Sequence, residues 1–230
     1  MSTISVEKIT NVDLLRRANS FTTSKESKMT LAQAYKCGHS PIRTQLFWIE
    51  LTEIPLFVAS QLVRSHIGVQ FFQLSKRTDR GGTDFRDVCR TYARIIESQC
   101  CNIENQTEEI VFDENEIEIP LNNLRASAEA IADLPNEFDR YAPTDLAFIV
   151  NAEALINMAH KRLCNKASKE TREIIQGICY EIERYDADLY KHLVPQCVFR
   201  GVCPEPKTCG YIKTQGFVEA RNEYVNLFNK

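Results

Sequence analysis

Asn151-Ala-Glu-Ala-Leu155-Ile-Asn157-Met158-Ala159-His-Lys-Arg162-Leu163 places apolar side chains at 155, 158, 159 and 163, the spacing of one helical face. The surrounding pattern predicts one long helix from Asp145 to about Arg184. In an unbroken register Asn151 and Arg162 are nearly three whole turns apart and leave the same face, with Asn157 about 120° away. Those three polar side chains on a packed helix are candidates to hold a ligand. The amides offer both a donor and an acceptor, and the arginine offers a planar fork of donors.

A second polar cluster lies upstream, in Gln61-Leu-Val-Arg64-Ser65-His66 and Gln73-Leu-Ser75-Lys76-Arg77. Its cations and hydroxyls sit among residues too apolar for an ordinary surface run, and they suggest an anionic nucleotide or cofactor site. Two bland readings stand beside this one. Arg64, Lys76 and Arg77 are solvated cations in the first, and Arg162 is a structural arginine paired with Glu170 or Glu173 in the second. Glu170 and Arg172 read as framework residues in helical ion pairs.

Around these clusters, Thr44 to Leu51 alternates as a strand, a helix is expected from Pro55 through Leu62, and Gly68 to Leu74 reads as a returning strand. Cys37 to Ile42 is a turn punctuated by Gly38 and Pro41. Gly81-Gly82 marks a loop, Phe85 to Glu109 is helical in pattern, Glu108 to Glu118 is acidic, and Pro120, Pro135 and Pro143 bracket a short helix. Weak amphipathic pieces near Val12 and Met29 make residues 1–36 an expected N-terminal helical extension. Residues 37–196 are then the main α/β domain, which carries the candidate nucleotide or cofactor site, with 197–230 as a Cys-rich tail.

With 230 residues, 43% of them hydrophobic, the chain is large enough for a substantial core. Lys and Arg total 28 against 31 Asp and Glu, a formal charge of -3 that lacks the basic footprint of a nucleic-acid binder. No secretion segment or membrane-length apolar run is visible, so a cytoplasmic protein without membrane or nucleic-acid partners is expected. The nine cysteines are then expected as reduced thiols. Cys197, Cys203 and Cys209 are evenly spaced, with His192 as a conceivable fourth metal ligand. Structural zinc loops pair their cysteines more closely, and no metal is expected.

The run Gln61-Leu-Val-Arg64, then Ser75-x-Arg77, then Asn151-Ala-x-x-Leu155-x-Asn157-x-x-x-x-Arg162, Ala167 and Glu170-x-Arg172 resembles the flavin-dependent thymidylate synthase family. The resemblance covers roughly residues 38–184. It implies an α/β (α+β) fold with long helices packed on a β-sheet, assembled as a homotetramer. It further implies FAD and deoxyuridine monophosphate bound where subunits meet, NADPH as reductant, and methylenetetrahydrofolate as one-carbon donor to C5 of the pyrimidine, without a cysteine nucleophile.

By the same resemblance Arg162 is the catalytic residue, and Gln61, Arg64, Ser75, Arg77 and Arg162 bind substrate. Arg64, His66, Asn151 and Asn157 bind cofactor. The chain departs from the family pattern at several points. Arg64-Ser65-His66 stands for Arg-His-Arg, one extra residue separates Arg64 from Arg77, Thr78 replaces a tyrosine, Thr44 a histidine, and Glu153 an arginine. These changes remove cations where an anionic cofactor would sit. A pyrimidine nucleotide hydroxymethylase and a non-catalytic nucleotide-binding or assembly protein are the alternatives on the same scaffold.

Overall fold

Strand alternation organises the core. The computed structural model describes residues 2–74, 89–98, 124–131 and 142–229. In chain order it contains β1 (Thr3–Lys8), α1 (Val12–Thr23), α2 (Leu31–Cys37), a 3-10 turn (Ser40–Thr44), β2 (Leu46–Pro55), α3 (Leu56–Leu62), β3 (Val69–Gln73) and β4 (Pro143–Asn151). These are followed by α4 (Ala152–Arg162), α5 (Lys169–Tyr185), α6 (Ala187–Tyr190), α7 (Gln196–Arg200), a second 3-10 turn (Tyr211–Lys213) and α8 (Gln215–Asn226). The contacts divide the chain into two units, residues 1–74 with 143–230, and residues 75–142.

In the first unit, four antiparallel strands form one sheet in the order β1-β2-β4-β3. Phe47, Ile49 and Leu51 of β2 stand opposite Val150, Phe148 and Leu146 of β4, and all six are buried. The period of two thus turns one apolar face into the core. Helix α5 covers that face with Ile174, Ile175, Ile178 and Ile182, a stripe at helical spacing. Gly177 allows α5 to lie close on β1, because a Cβ there would collide with the Ile4 side chain. In the second unit, residues 89–98 and 124–131 are helical, with Cys89, Ala93 and Ala128 buried.

The expected α+β architecture, with helices packed on a sheet, is therefore observed. So are the strand within 44–51, the helix after Pro55 and the strand after Gly68. Two expectations are corrected. The single helix from 145 to 184 is instead a strand and two helices: β4 lies between β2 and β3, and Thr144, Leu146, Phe148 and Val150 are its buried positions. A strand paired on both sides replaces its solvent contacts with ladder hydrogen bonds, which a helix at that position would leave unmade. The N-terminal segment is not helical throughout, because β1 pairs with β2 from Thr3↔Thr52 to Lys8↔Phe47.

A buried polar network ties β1 to the helical layer. Asp186 receives Lys8 Nζ at 2.6 Å, Tyr35 Oη at 2.7 Å and the Leu189 backbone N–H at 3.0 Å. Burial and the Asp186 carboxylate both push the Tyr35 phenol well above its ordinary pKa. Residues 196–227 fold over a small cluster of their own around Cys197, Val198, Phe217 and Tyr224. Arg221 Nη1 fastens it by donating to the carbonyls of Val198 and Phe199 at 2.6 and 2.8 Å.

Candidate functional site

Asn151 ends β4 and begins α4. Its extended backbone and its Oδ1, which accepts from the Ala154 N–H at 2.9 Å, make it the N-cap of that helix. Its backbone N–H donates to the Gly68 carbonyl at 3.1 Å. The Asn151 amide fills the space where a side chain on Gly68 would stand, and Gly68 has φ +75°. Asn151 thus joins the loop after α3 to the start of α4. Its acceptor oxygen is committed to the cap, and its Nδ2 lies against Gly68.

Helix α4 delivers Arg162 to the end of α3. The Arg162 guanidinium donates through Nη2 to the Gln61 carbonyl, in the last turn of α3 where helix carbonyls lack intrahelical partners. Burial lowers the Arg162 pKa, and the positive charge of Arg64 lowers it further. Arg162 Nε is buried without a hydrogen-bond partner, and among the described residues no carboxylate pairs with either arginine. The expected alternative of Glu170 or Glu173 as partner for Arg162 is therefore not what the structure contains. Glu173 faces Lys169 at 3.7 Å.

Arg162 thus carries a buried donor without a partner, a desolvation cost that an acceptor from a ligand would remove. A phosphate oxygen or a polarised carbonyl supplies such an acceptor.

Gln61 is held from its other side. Thr171 Oγ1 donates to Gln61 Oε1 at 3.1 Å, and Ser168 Oγ donates to Thr171 Oγ1 at 2.8 Å. Ser168 also caps α5 by accepting from the Thr171 N–H. Arg172, expected in an ion pair, instead donates to the carbonyls of Asn165 and Ala167 at 3.0 and 2.9 Å and pins the turn between α4 and α5.

The sequence candidates therefore divide. Gln61 and Arg162 meet at the ends of α3 and α4, where the charge of Arg64 also acts on Arg162, whereas Asn151 stands at the opposite end of α4, beside Gly68. The common helical face expected for Asn151 and Arg162 does not exist, since Asn151 precedes the helix. Asn157 is exposed on α4. His66 is exposed, with Nδ1 3.2 Å from the Arg64 carbonyl. Ser75 and Arg77 lie outside the described residues, as do Lys76, Thr78, Gly81-Gly82 and the acidic stretch 108–118. Glu153, which stands for a cation in the family pattern, makes a two-pronged pair with Arg43, at 2.6 Å to Nε and 3.2 Å to Nη2. Sequence reasoning missed Ser168 and Thr171, whose hydroxyls have no distinguishing local pattern.

A separate cavity of about 400 Å³ lies against the C-terminal segment. Cys164, Cys179, Cys197, Cys203 and Cys209 line it together with His160. Burial pushes the Cys179 thiol up to about 12 and also raises Cys197, so both are protonated thiols at neutral pH. His192 packs elsewhere, against Tyr35, Tyr224 and Phe228. Among the described residues no three His, Cys, Asp or Glu side chains are grouped to hold a metal ion. Among them, too, no helix is long and apolar enough to cross a membrane.

Comparison with known proteins sets this geometry in a family. A flavin-dependent thymidylate synthase from Clostridium tetani (strain Massachusetts / E88) is 33% identical over 86 residues, which cover 37% of this chain and 34% of that protein. The chain thus spans about a third of the length of that curated relative. A crystal structure of flavin-dependent thymidylate synthase from Helicobacter pylori, complexed with FAD and dUMP, superposes with a TM-score of 0.50 at 17% identity. It covers 83% of this chain and 99% of its own. A second structure of thymidylate synthase X from Helicobacter pylori, with FAD and dUMP, gives a TM-score of 0.46 at 18% identity over 81% and 99% of the two chains. The family described as thymidylate synthase complementing protein matches residues 5–186, and the chain belongs to that family.

Proposed function

We propose that this protein transfers a one-carbon unit to C5 of deoxyuridine monophosphate in a flavin-dependent thymidylate synthase reaction. The observation that carries the proposal is Arg162, tethered at the Gln61 carbonyl, with a buried and unpartnered Nε and the charge of Arg64 acting on it. Family membership over residues 5–186 supplies the reaction class, and Arg162 supplies a place for the nucleotide's anionic groups.

The residues fit an anionic ligand, and they assign the work as follows. Arg162, tethered at Gln61, presents its remaining donors to negative charge that develops on the pyrimidine ring. C5 of uracil is a weak nucleophile, so polarising the ring in a preorganised electrostatic site is the main lever available without a thiol nucleophile. Ser75 and Arg77 hold the substrate phosphate, and Gln61 and Arg64 complete the nucleotide site. Arg64 and His66, together with the amides of Asn151 and Asn157, are the groups that would hold FAD. When bound, the flavin supplies the redox electrons, with NADPH as their source and methylenetetrahydrofolate as the carbon donor. The protein's contribution is to orient the rings and exclude water. A homotetramer with sites shared between subunits, working in the cytoplasm, belongs to the same reading. The described cysteines are all free thiols, consistent with a reducing compartment.

Calorimetric titration of the purified full chain with deoxyuridine monophosphate, with and without FAD, tests this proposal. Wild type binds both, and Arg162→Ala loses the nucleotide while keeping its fold. Failure of wild type to bind either ligand would overturn the assignment.

A further inference from the structure

We infer that Thr171, oriented by Ser168, is a positioning residue for nucleotide binding, acting on Arg162 through Gln61. The inference rests on the proposed role of Arg162 in that binding.

Four observations lead to it. Thr171 is a fully buried polar residue of α5, whose other buried residues are four isoleucines and Cys179. Its hydroxyl is used in both directions: it accepts from Ser168 Oγ at 2.8 Å and donates to Gln61 Oε1 at 3.1 Å. That sequence leaves the Thr171 proton one destination, because Ser168 already occupies the acceptor side. Finally, the Gln61 carbonyl is the acceptor that holds Arg162 Nη2.

The consequence is mechanical. Gln61 lies in the last turn of α3, where the helix is free to fray. Its side chain is clamped to α5 and its carbonyl to the end of α4, so one residue couples three helices. Arg162 is long, has many rotamers, and faces the repulsive charge of Arg64. Left untethered, its guanidinium would swing away from Arg64 toward solvent. The Ser168–Thr171–Gln61 chain holds the acceptor that prevents this, so Arg162 keeps its place before an anion arrives. Preorganisation of this kind appears as affinity and as transition-state stabilisation, beyond its effect on folding.

The test uses Thr171→Val, which keeps shape and removes the hydroxyl, and Thr171→Ser, which restores it. Nucleotide dissociation constants are measured by calorimetry on the full chain, beside melting temperatures, with Ile178→Val as a purely packing change in the same helix. Thr171→Val is expected to weaken deoxyuridine monophosphate binding about tenfold, Thr171→Ser to recover most of it, and Ile178→Val to leave it unchanged at a similar loss of melting temperature. Should Thr171→Val fail to fold, Ser168→Ala reports on the same chain, with the same direction and a smaller size. Unchanged affinity in the foldable variants, or equal weakening in Ile178→Val, would overturn the inference. Arg162→Ala separates the two levels. If it leaves nucleotide binding intact, the functional assignment fails; if it abolishes binding while Thr171→Val does not alter it, only the positioning role fails.

Discussion

Replacing Asp186 by alanine is expected to cost about 3–5 kcal/mol of stability, the range for breaking a buried charge pair from one side. Asp186 is 4% exposed and accepts from Lys8, Tyr35 and the Leu189 backbone. Its removal leaves the Tyr35 hydroxyl, on a residue 3% exposed, without its acceptor. It also leaves the Lys8 ammonium, whose side chain is 14% exposed, without its counter-charge. Each buried unpaired group costs on the order of 1–3 kcal/mol, and the α6 cap is lost as well. For a chain of this size the sum lowers the melting temperature by roughly 10 °C. Lys8→Met, which leaves the Asp186 carboxylate buried without its counter-charge, should also destabilise clearly, its two remaining donors limiting the loss. Differential scanning calorimetry and urea denaturation of both variants measure the two effects. A loss below about 1 kcal/mol for either variant would refute the view that this network joins β1 to the helical layer.

Other expectations follow from single features. Burial pushes the His160 pKa down to about 4 and that of His192 below its ordinary value, with the cation of Arg200 also opposing charge on His160. Both imidazoles are neutral in the folded state at pH 7. Unfolding lets them take up protons below pH 6.5, so stability is complete above that value and falls as the pH drops toward about 4. Urea midpoints at pH 7 and pH 5 should show that fall, and His160→Phe should reduce it; an unchanged slope contradicts the burial argument. Gly68→Ala combines a left-handed backbone with a collision against Asn151, and should cost about 1–2 kcal/mol or more. Chemical denaturation of that variant checks it, and wild-type stability would be the contrary result. Glu153→Ala, which breaks the solvent-exposed pair with Arg43, should leave the melting temperature unchanged; a marked drop would mean the pair has a role beyond the surface.

Much of this fold was readable from local pattern. Alternation marked β2, aromatic and β-branched residues marked β3, and Pro55 marked the start of α3. The long helix was misread because Leu146-Ala-Phe-Ile-Val150 is a short apolar run, which fits a central strand or a buried helix equally well. Asn151 was the available signal, since a capping residue before Ala152 marks where a helix begins. β1 was missed because an edge strand alternates only weakly, with Val6 as its one fully turned-in position. At the site, residue types identified Gln61, Arg64 and Arg162 as candidates. Their meeting depends on how α3 and α4 end beside each other, which no spacing encodes. Ser168 and Thr171 were invisible for a related reason: a buried hydroxyl acquires meaning only from the partner brought to it by tertiary packing.

The most direct test of the functional account is product analysis. Purified protein is incubated with deoxyuridine monophosphate, methylenetetrahydrofolate, FAD and NADPH, and the nucleotide is examined by mass spectrometry. The account predicts thymidylate from wild type and none from Arg162→Ala. A hydroxymethylated nucleotide, or unchanged substrate with the folded wild-type protein, would contradict it.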